Sequence, residues 1–414
     1  MRRAFRRRAA LVAIALPFLA AAQPAPATSA SPAATPATPS LSLSGWLALN
    51  TYYDAGTFNP SAGFVDQPMA VASSRGSGFG MSVKQTRLRL SGALPSDALL
   101  GGAALTGLLE TDFAGGYANS DLQFPLARVR HAWIAATWAE LGNLTVRVGQ
   151  DWGLLQGPAL PISLGHMTTP RFTGAGYLLR RTPQIRAQGE LGGAVGFAWA
   201  AAVMPNGDRQ LASDKVGVGF RSGLPDFEAR AAAVLRSAGR KVAEVGLSGH
   251  YGEERWTLDG LAGTPDRHLA SQAVALDYRL DAGWVSLTGA AFTGENLDVL
   301  YSGVGTGVNR VTVSPTDAKL LAVTGLRTKG LWSQLVVAPI PWLQLLAGYG
   351  LEVPRGPDLG ADALFRRNQQ FSTGVVASAG RWKVGLELTA YRTRALAGDL
   401  RTANQVEAST LYAF

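Results

Sequence analysis

The segment RWKVGLELTA, residues 381–390, alternates between polar or small side chains and apolar side chains with a period of two residues. Its apolar set is Trp382, Val384, Leu386, Leu388 and Ala390. In a β-strand successive side chains point to opposite faces, so this segment predicts a strand with one apolar face and one polar face that contacts water. The same alternation recurs in segments that start near residues 243, 273 and 343. No helical period of 3.6 residues is sustained, so the fold class is all-β.

The last segment of the chain, residues 402–414, alternates in the same way and ends in an aromatic residue. Aromatic side chains at strand ends, here Trp342 and Trp382 as well, are typical of the interfacial girdles of transmembrane barrels. A terminal aromatic strand also resembles the signal by which outer-membrane barrels are recognised for insertion. Tyr412 and Phe414 are therefore predicted to be the insertion signal that the barrel-assembly machinery reads.

A sheet in hydrocarbon must close on itself, because all of its backbone polar groups must be paired. A soluble sandwich or β-helix is disfavoured, since nearly every polar face carries charges and glycines that could not pack a second sheet. We predict a transmembrane antiparallel β-barrel of 16–18 strands over residues 43–414, which is wide enough for an aqueous lumen. The pattern assigns eighteen strands, with sixteen equally acceptable: 43–54, 79–94, 99–113, 126–139, 143–152, 183–191, 193–204, 214–222, 226–236, 241–251, 254–263, 270–280, 283–294, 322–338, 342–352, 367–379, 381–394 and 402–414.

The N-terminal region has the pattern of an exported protein. Residues 1–22 combine five arginines, an apolar run and a small-residue cleavage site, which together predict a secretory signal peptide. Residues 23–42 are rich in Pro, Ala, Ser and Thr and predict a disordered linker. Removing the signal, which carries no acid, lowers the formal charge from +9 to +4. A nucleic-acid partner is therefore not expected, and the bacterial outer membrane is the predicted location.

The composition argues against metal and cofactor chemistry. The chain of 414 residues has no cysteine and only four histidines, and these are far apart in the sequence. No zinc, nucleotide or serine-hydrolase motif is present. We expect no metal, no cofactor and no enzymatic activity. His131 is placed by strand parity on the outward face of the barrel.

Charged residues are concentrated on the inward faces of the second to sixth strands. Because arginine binds carboxylates and phosphates in a bidentate manner, this arc predicts a pore wall that attracts anions. The alternative is that the side chains pair across strands and only stiffen the wall. That alternative is stronger for Arg128 and Arg130, which flank the acids. The predicted pore-lining residues are Arg87, Arg89, Arg128, Arg130, Arg147, Arg186, Glu110 and Asp112.

The connection at residues 153–182 is long and unusually apolar for a surface loop. A loop of this kind is expected to pack against something. We predict that it folds into the lumen, where Arg171, Arg180 and Arg181 would narrow the pore. Packing against a neighbouring subunit or with other loops are the alternatives.

Several of these segments resemble one known family, the DcaP-type porins. The similarity runs from about residue 43 to 414 and is carried by ARVRHAWIA (127–135), VRVGQDWG (146–153) and RTPQIRAQ (181–188). The resemblance implies a trimeric, sixteen-stranded outer-membrane channel for small anions such as dicarboxylates, with Arg128, Arg130 and Arg186 in the pore wall. The Pro/Ala spacer departs from the helical N-terminal extension of that family.

The leading functional hypothesis is a passive porin that prefers small anionic solutes. Its other expected partners are outer-membrane lipid and two further copies of the chain. The alternatives are a barrel-embedded hydrolase and a closed structural or adhesive barrel.

Overall fold

The structure is a computed structural model that describes most of the chain beyond the N-terminal region. The described residues are 38–58, 70–71, 77–97, 100–115, 126–157, 159–167, 169–207, 217–258, 266–300, 307–312, 320–360 and 363–414. The predicted signal peptide and the predicted linker up to residue 37 lie outside the described residues. Residues 40–42, which the sequence assigns to the linker, already belong to the first strand.

Sixteen strands, each antiparallel to its neighbours, form one closed sheet. The second strand has two pieces, and both pair with the first strand. The strands are β1 (Ser40–Ala55), β2 (Ser77–Ser82 and Arg87–Asp97), β3 (Ala103–Gly115), β4 (Leu126–Trp138), β5 (Leu144–Trp152), β6 (Arg181–Gly192), β7 (Val195–Met204), β8 (Asp226–Ser237), β9 (Arg240–Trp256), β10 (Arg267–Asp281), β11 (Val285–Glu295), β12 (Arg327–Ile340), β13 (Leu343–Pro354), β14 (Phe365–Ala379), β15 (Trp382–Ala395) and β16 (Leu400–Ala413).

The first and last strands close the barrel. β1 pairs with β16 from Trp46 opposite Ala413 to Ala55 opposite Asn404. At the end of this seam, the N–H groups of Gly45 and Phe414 each donate to the other's carbonyl oxygen, at 3.3 and 3.1 Å. A Cβ at Gly45 would lie only 2.1 Å from the carbonyl oxygen of Arg87, so the close strand approach requires glycine here. The closed ring leaves the sheet without a free edge.

The sixteen-strand alternative is confirmed, and two of the eighteen predicted strands do not exist as separate elements. Residues 217–222 of the predicted strand 214–222 form a turn and a short 3-10 helix, Phe220–Ser222. The predicted strands 241–251 and 254–263 share one continuous strand, β9. A small ribbon, Val308–Thr312 with Leu320–Gly325, lies outside the barrel sheet. Among the described residues, no helix is long and apolar enough to cross a membrane.

The outer surface of the barrel is apolar and the inner surface is polar. Along β15, Trp382, Val384, Leu386 and Leu388 are exposed on the outside, whereas Glu387 is buried inside. Such a large exposed apolar surface is a lipid-contacting surface, because soluble monomers do not expose patches of this size.

Exposed aromatic side chains lie near both ends of the strands. Tyr53 faces Phe79 across β1 and β2, and Phe227 faces Tyr251 across β8 and β9. Trp382 packs on Tyr412 at the opposite end, with 4.9 Å between the ring centroids. This end carries the tight turns and the C-terminus, which is the periplasmic end in outer-membrane barrels.

Introducing a charge in the middle of the outer face tests whether that face contacts lipid. Replacing Leu388 with arginine is expected to lower the free energy of unfolding in lipid by about 2–4 kcal/mol, because the charge would sit near the bilayer midplane. Leu400→Arg, at the strand end, should cost only about 0–1 kcal/mol. Urea unfolding followed by tryptophan fluorescence measures both, and equal costs would contradict the membrane placement.

Candidate functional site

The connection between β5 and β6, residues 153–180, lies inside the barrel and is called the inner loop below. Most of its apolar side chains are buried against the inner wall, whereas Leu160 is exposed. Leu155 and Leu178 pack with Phe292 of β11, and Leu164 packs with Val336 and Leu411. The predicted in-folded loop is therefore confirmed.

Side chains of distant strands bind the backbone of the inner loop. Glu228 of β8 accepts hydrogen bonds from the N–H groups of Leu154 and Leu155, the latter at 3.2 Å. Gln334 of β12 binds both the N–H and the carbonyl of Ile162, at 2.7 and 2.8 Å. These partners supply the backbone hydrogen bonds that a buried loop cannot obtain from water.

The inner loop also spans the seam between β1 and β16. The carbonyl of Gly165 accepts hydrogen bonds from Asn50 of β1, at 3.1 Å, and from Gln85. The Nε2 atom of the adjacent His166 lies 3.1 Å from a carboxylate oxygen of Glu407 on β16. One turn of the loop is thus bonded to both strands that close the barrel.

Arg171 fixes the inner loop to the wall. Its guanidinium is 1% exposed and donates to Glu387 of β15, at 2.6 and 3.1 Å, and to Glu407, at 2.7 Å. Burial would lower the pKa of Arg171, but the two carboxylates raise it above its ordinary value. Arg180 similarly donates to Asp226 and to the carbonyl of Pro205. Both arginines are enclosed, so they do not face the lumen as the sequence leads one to expect.

The predicted basic arc is brought together by β2 to β6. Its centre is Arg130 on β4, which bonds Glu110 at 3.0 Å and Asp112 at 2.7 Å. Both carboxylates are fully buried. Arg89 also bonds Glu110, at 2.5 Å, and Arg128 bonds Asp112, at 2.7 Å.

The arginines of the arc differ in how far they reach the lumen. The side chains of Arg128, Arg89 and Arg147 are 32%, 30% and 19% exposed. Arg87 donates to the carbonyl of Met167 at 2.8 Å and is mostly covered by the inner loop. Arg186 is also mostly covered and donates to Gln184 and to the carbonyl of Trp152.

A bulge in β4 changes which residues face inward. Glu110 lies opposite His131, whereas Thr111 lies opposite Val129, so one extra residue is inserted at Arg130. Both Arg130 and His131 therefore face the interior. The prediction that His131 faces outward is wrong, and its Nδ1 atom lies 2.8 Å from a carboxylate oxygen of Asp151.

Arg181, the first residue of β6, has no ion pair among the described residues. Its guanidinium lies over the ring of Trp152, 4.9 Å from the centroid. The Nε and one Nη atom are buried without a hydrogen-bond partner. Its charged neighbours are Arg130, Arg128, Asp112 and Arg87, three cations and one anion. A half-buried guanidinium whose buried donor atoms lack partners, with more cations than anions around it, is an arrangement that an anion would stabilise.

The arc as a whole has more cations than anions. In the described residues it brings together seven guanidinium groups and three carboxylates. The guanidinium groups belong to Arg87, Arg89, Arg128, Arg130, Arg147, Arg181 and Arg186, and the carboxylates belong to Glu110, Asp112 and Asp151. Sequence reasoning assigned Arg181 to the loop, and only the fold shows that it joins the arc.

A buried serine, histidine and glutamate lie in a row on β10, β9 and β8. His250 Nε2 lies 3.3 Å from the hydroxyl of Ser271, and its Nδ1 lies 3.1 Å from Glu228. The serine hydroxyl donates to the carbonyl of Asn296 at 2.7 Å, and Glu228 already binds the inner loop. All three side chains are buried in the wall. The described residues contain no group of three or more possible ligands that could hold a metal ion.

Solved structures of outer-membrane channels share the fold. The outer-membrane channel DcaP of Acinetobacter baumannii matches with a TM-score of 0.71 and 16% identity, covering 91% of this chain and 98% of that chain. An anion-selective porin from Comamonas acidovorans matches with a TM-score of 0.54 and 14% identity, covering 91% and 100%. OmpF of Salmonella typhi matches with a TM-score of 0.54 and 13% identity, covering 90% and 97%. No protein-family model and no curated protein matches the sequence. The chain therefore has the porin fold that the sequence resemblance implies.

Proposed function

We propose that this protein is a passive outer-membrane porin that prefers small anions. The observation that carries the proposal is the excess of guanidinium groups in the basic arc, and above all Arg181, which has no ion pair within the described part of the chain. Low-dielectric walls focus the field of such a cluster and raise the local concentration of anions. The partly exposed Arg89, Arg128 and Arg147 extend the positive surface along the lumen.

Small dicarboxylates are the proposed solutes. A guanidinium binds a carboxylate through two parallel hydrogen bonds. Arg147 and Arg186 lie directly opposite each other on β5 and β6, whose backbones are about 4.8 Å apart. Two carboxylates of one solute can therefore bind adjacent arginines. The structural likeness to DcaP and to a porin described as anion-selective supports this choice.

We also propose that the mature protein is a homotrimer in the outer membrane. A trimer form of OmpT of Vibrio cholerae is among the structures with this fold. The predicted signal peptide would export the chain, and the barrel-assembly machinery would insert it through the C-terminal strand with Tyr412 and Phe414. The alternative of a hydrolase has less support, because Ser271 is buried and already hydrogen-bonded.

Recording from the purified protein in a planar bilayer tests this function. We expect discrete open-channel steps, and a reversal potential under a potassium chloride gradient that shows anion preference. Succinate added to one side should reduce the chloride current more than methylsuccinamide, a neutral solute of similar size. The absence of conductance would instead support the closed barrel, and cation preference would contradict the role of the basic arc.

A further inference from the structure

Four arginines project from the outer ends of β14 and β15, on the outside of the barrel. They are Arg366, Arg367, Arg392 and Arg394, and we call them the outer arginine patch. All four side chains are exposed. The residues between them point inward: Asn368 and Thr393 are buried and hydrogen-bonded to each other at 2.8 Å. A register shift between Phe365 and Arg367 lets both Arg366 and Arg367 lie on the outer side.

The outer arginine patch has no acidic partner among the described residues. Arg367 lies directly opposite Arg394 across the two strands, and Arg392 lies two residues further along the same face. Like charges directly opposite each other on a sheet are destabilising. Three other arginines at this end of the barrel are paired with acids: Arg255 with Asp266 at 2.5 Å, Arg327 with Asp358 at 2.6 Å and Arg401 with Asp399 at 2.8 Å. The patch is therefore a local excess of positive charge.

The surface next to the patch is suited to hydrocarbon. The guanidinium of Arg392 lies 5.3 Å from the ring centroid of Phe371, which packs on Tyr349 at 4.8 Å. Beyond these rings, Leu388 and Leu386 continue the apolar outer face. Positive charge at the strand ends, next to apolar side chains toward the middle of the strands, matches a lipid with an anionic headgroup and acyl chains.

The position in the barrel indicates which leaflet the patch contacts. The patch lies beside the short turn between β15 and β16, at the end opposite the C-terminus and the other tight turns. In an outer-membrane barrel this is the outward end, so the patch meets the headgroups of the outer leaflet. Arginine binds phosphate in a bidentate manner and keeps its charge at all relevant pH values.

We propose that the outer arginine patch is a binding site for the phosphate groups of an outer-leaflet lipid such as lipid A, whose acyl chains lie on Phe371 and the leucines of β15. This proposal rests on the proposed outer-membrane location. It is independent of the basic arc, which lies on the inner face of other strands.

Native mass spectrometry of the detergent-solubilised protein with bis-phosphorylated lipid A tests the site. The test variant is Arg367→Gln, Arg392→Gln and Arg394→Gln. The matched control removes three cations at the opposite end: Arg240→Gln, Arg279→Gln and Arg381→Gln. We expect the test variant to lose at least about tenfold in apparent affinity, while the control keeps the wild-type value. The same spectrum reports whether each variant is assembled.

Two further ligands identify what the patch recognises. Lipid A without phosphate should bind the wild type as weakly as the test variant binds intact lipid A. Inorganic phosphate should compete only at far higher concentration, because it lacks the acyl chains. Equal lipid A affinity of the assembled wild type and test variant, or tight binding of the dephosphorylated lipid, would overturn the proposal. Single-channel conductance of the same samples reports the channel function separately, and the test variant should conduct normally.

Discussion

Replacing Arg181, Arg89 and Arg128 with glutamine together is expected to lower the ratio of anion to cation permeability at least about threefold. Arg181 has no acidic partner among the described residues, and the other two are the most exposed guanidinium groups of the basic arc. Removing them leaves Glu110 and Asp112 with fewer cations around them, so the electrostatic potential in the lumen becomes less positive. The reversal potential under a salt gradient measures the change.

The single substitution Arg181→Gln separates the contribution of Arg181 to anion preference from those of Arg89 and Arg128. Because this guanidinium pairs with no described carboxylate, its loss should reduce block by dicarboxylates without disturbing the wall. The triple variant of the outer arginine patch is the control, since it also removes three cations but outside the lumen. An unchanged permeability ratio in the arc variant would show that these side chains only stiffen the wall.

Replacing Arg171 with methionine is expected to lower the free energy of unfolding by about 3–5 kcal/mol, because Glu387 and Glu407 would remain buried without their shared cation. The inner loop would lose its anchor to β15 and β16, so we also expect larger and noisier single-channel currents. Unfolding in urea and planar-bilayer recording measure the two effects.

A second substitution shows whether the stability loss of Arg171→Met comes from the lost charge or from the lost packing of the Arg171 side chain. In the Arg171→Met background, Glu387→Gln removes one of the unpaired carboxylates and should recover part of the lost stability. Arg401→Gln, which breaks an exposed pair with Asp399, is the matched control and should leave stability nearly unchanged. Equal losses for Arg171→Met and Arg401→Gln would contradict the anchoring role.

The strands could be predicted because one face of each contacts lipid and the other faces polar groups. The two errors in strand number have local causes. Residues 216–220, VGVGF, alternate as a strand does, yet Val218 packs against Trp256 and Leu269 at the outward ends of β9 and β10 and forms no strand of the barrel sheet. In β9 the prediction places a turn at Gly252 and Glu253, but the strand continues through them, with His268 bonding Glu253 at 2.6 Å.

The details of the candidate site depend on contacts between distant segments. Strand parity places Arg87, Arg89 and Arg147 inward, but it cannot reveal the bulge that turns His131 inward as well. It also cannot show that Glu387 and Glu407, more than 200 residues along the chain, enclose Arg171. Whether an arginine lines the lumen or holds the wall is decided by the path of the inner loop.

The bonds between the inner loop and the seam have a consequence for the route of transport. Separating β1 from β16 would break their backbone ladder and also the hydrogen bonds that hold Gly165 and His166 to both strands. Opening a lateral gate at this seam would therefore require breaking both the strand pairing and the contacts of the inner loop. Solutes must leave along the barrel axis into water, and no sideways exit into the bilayer opens here.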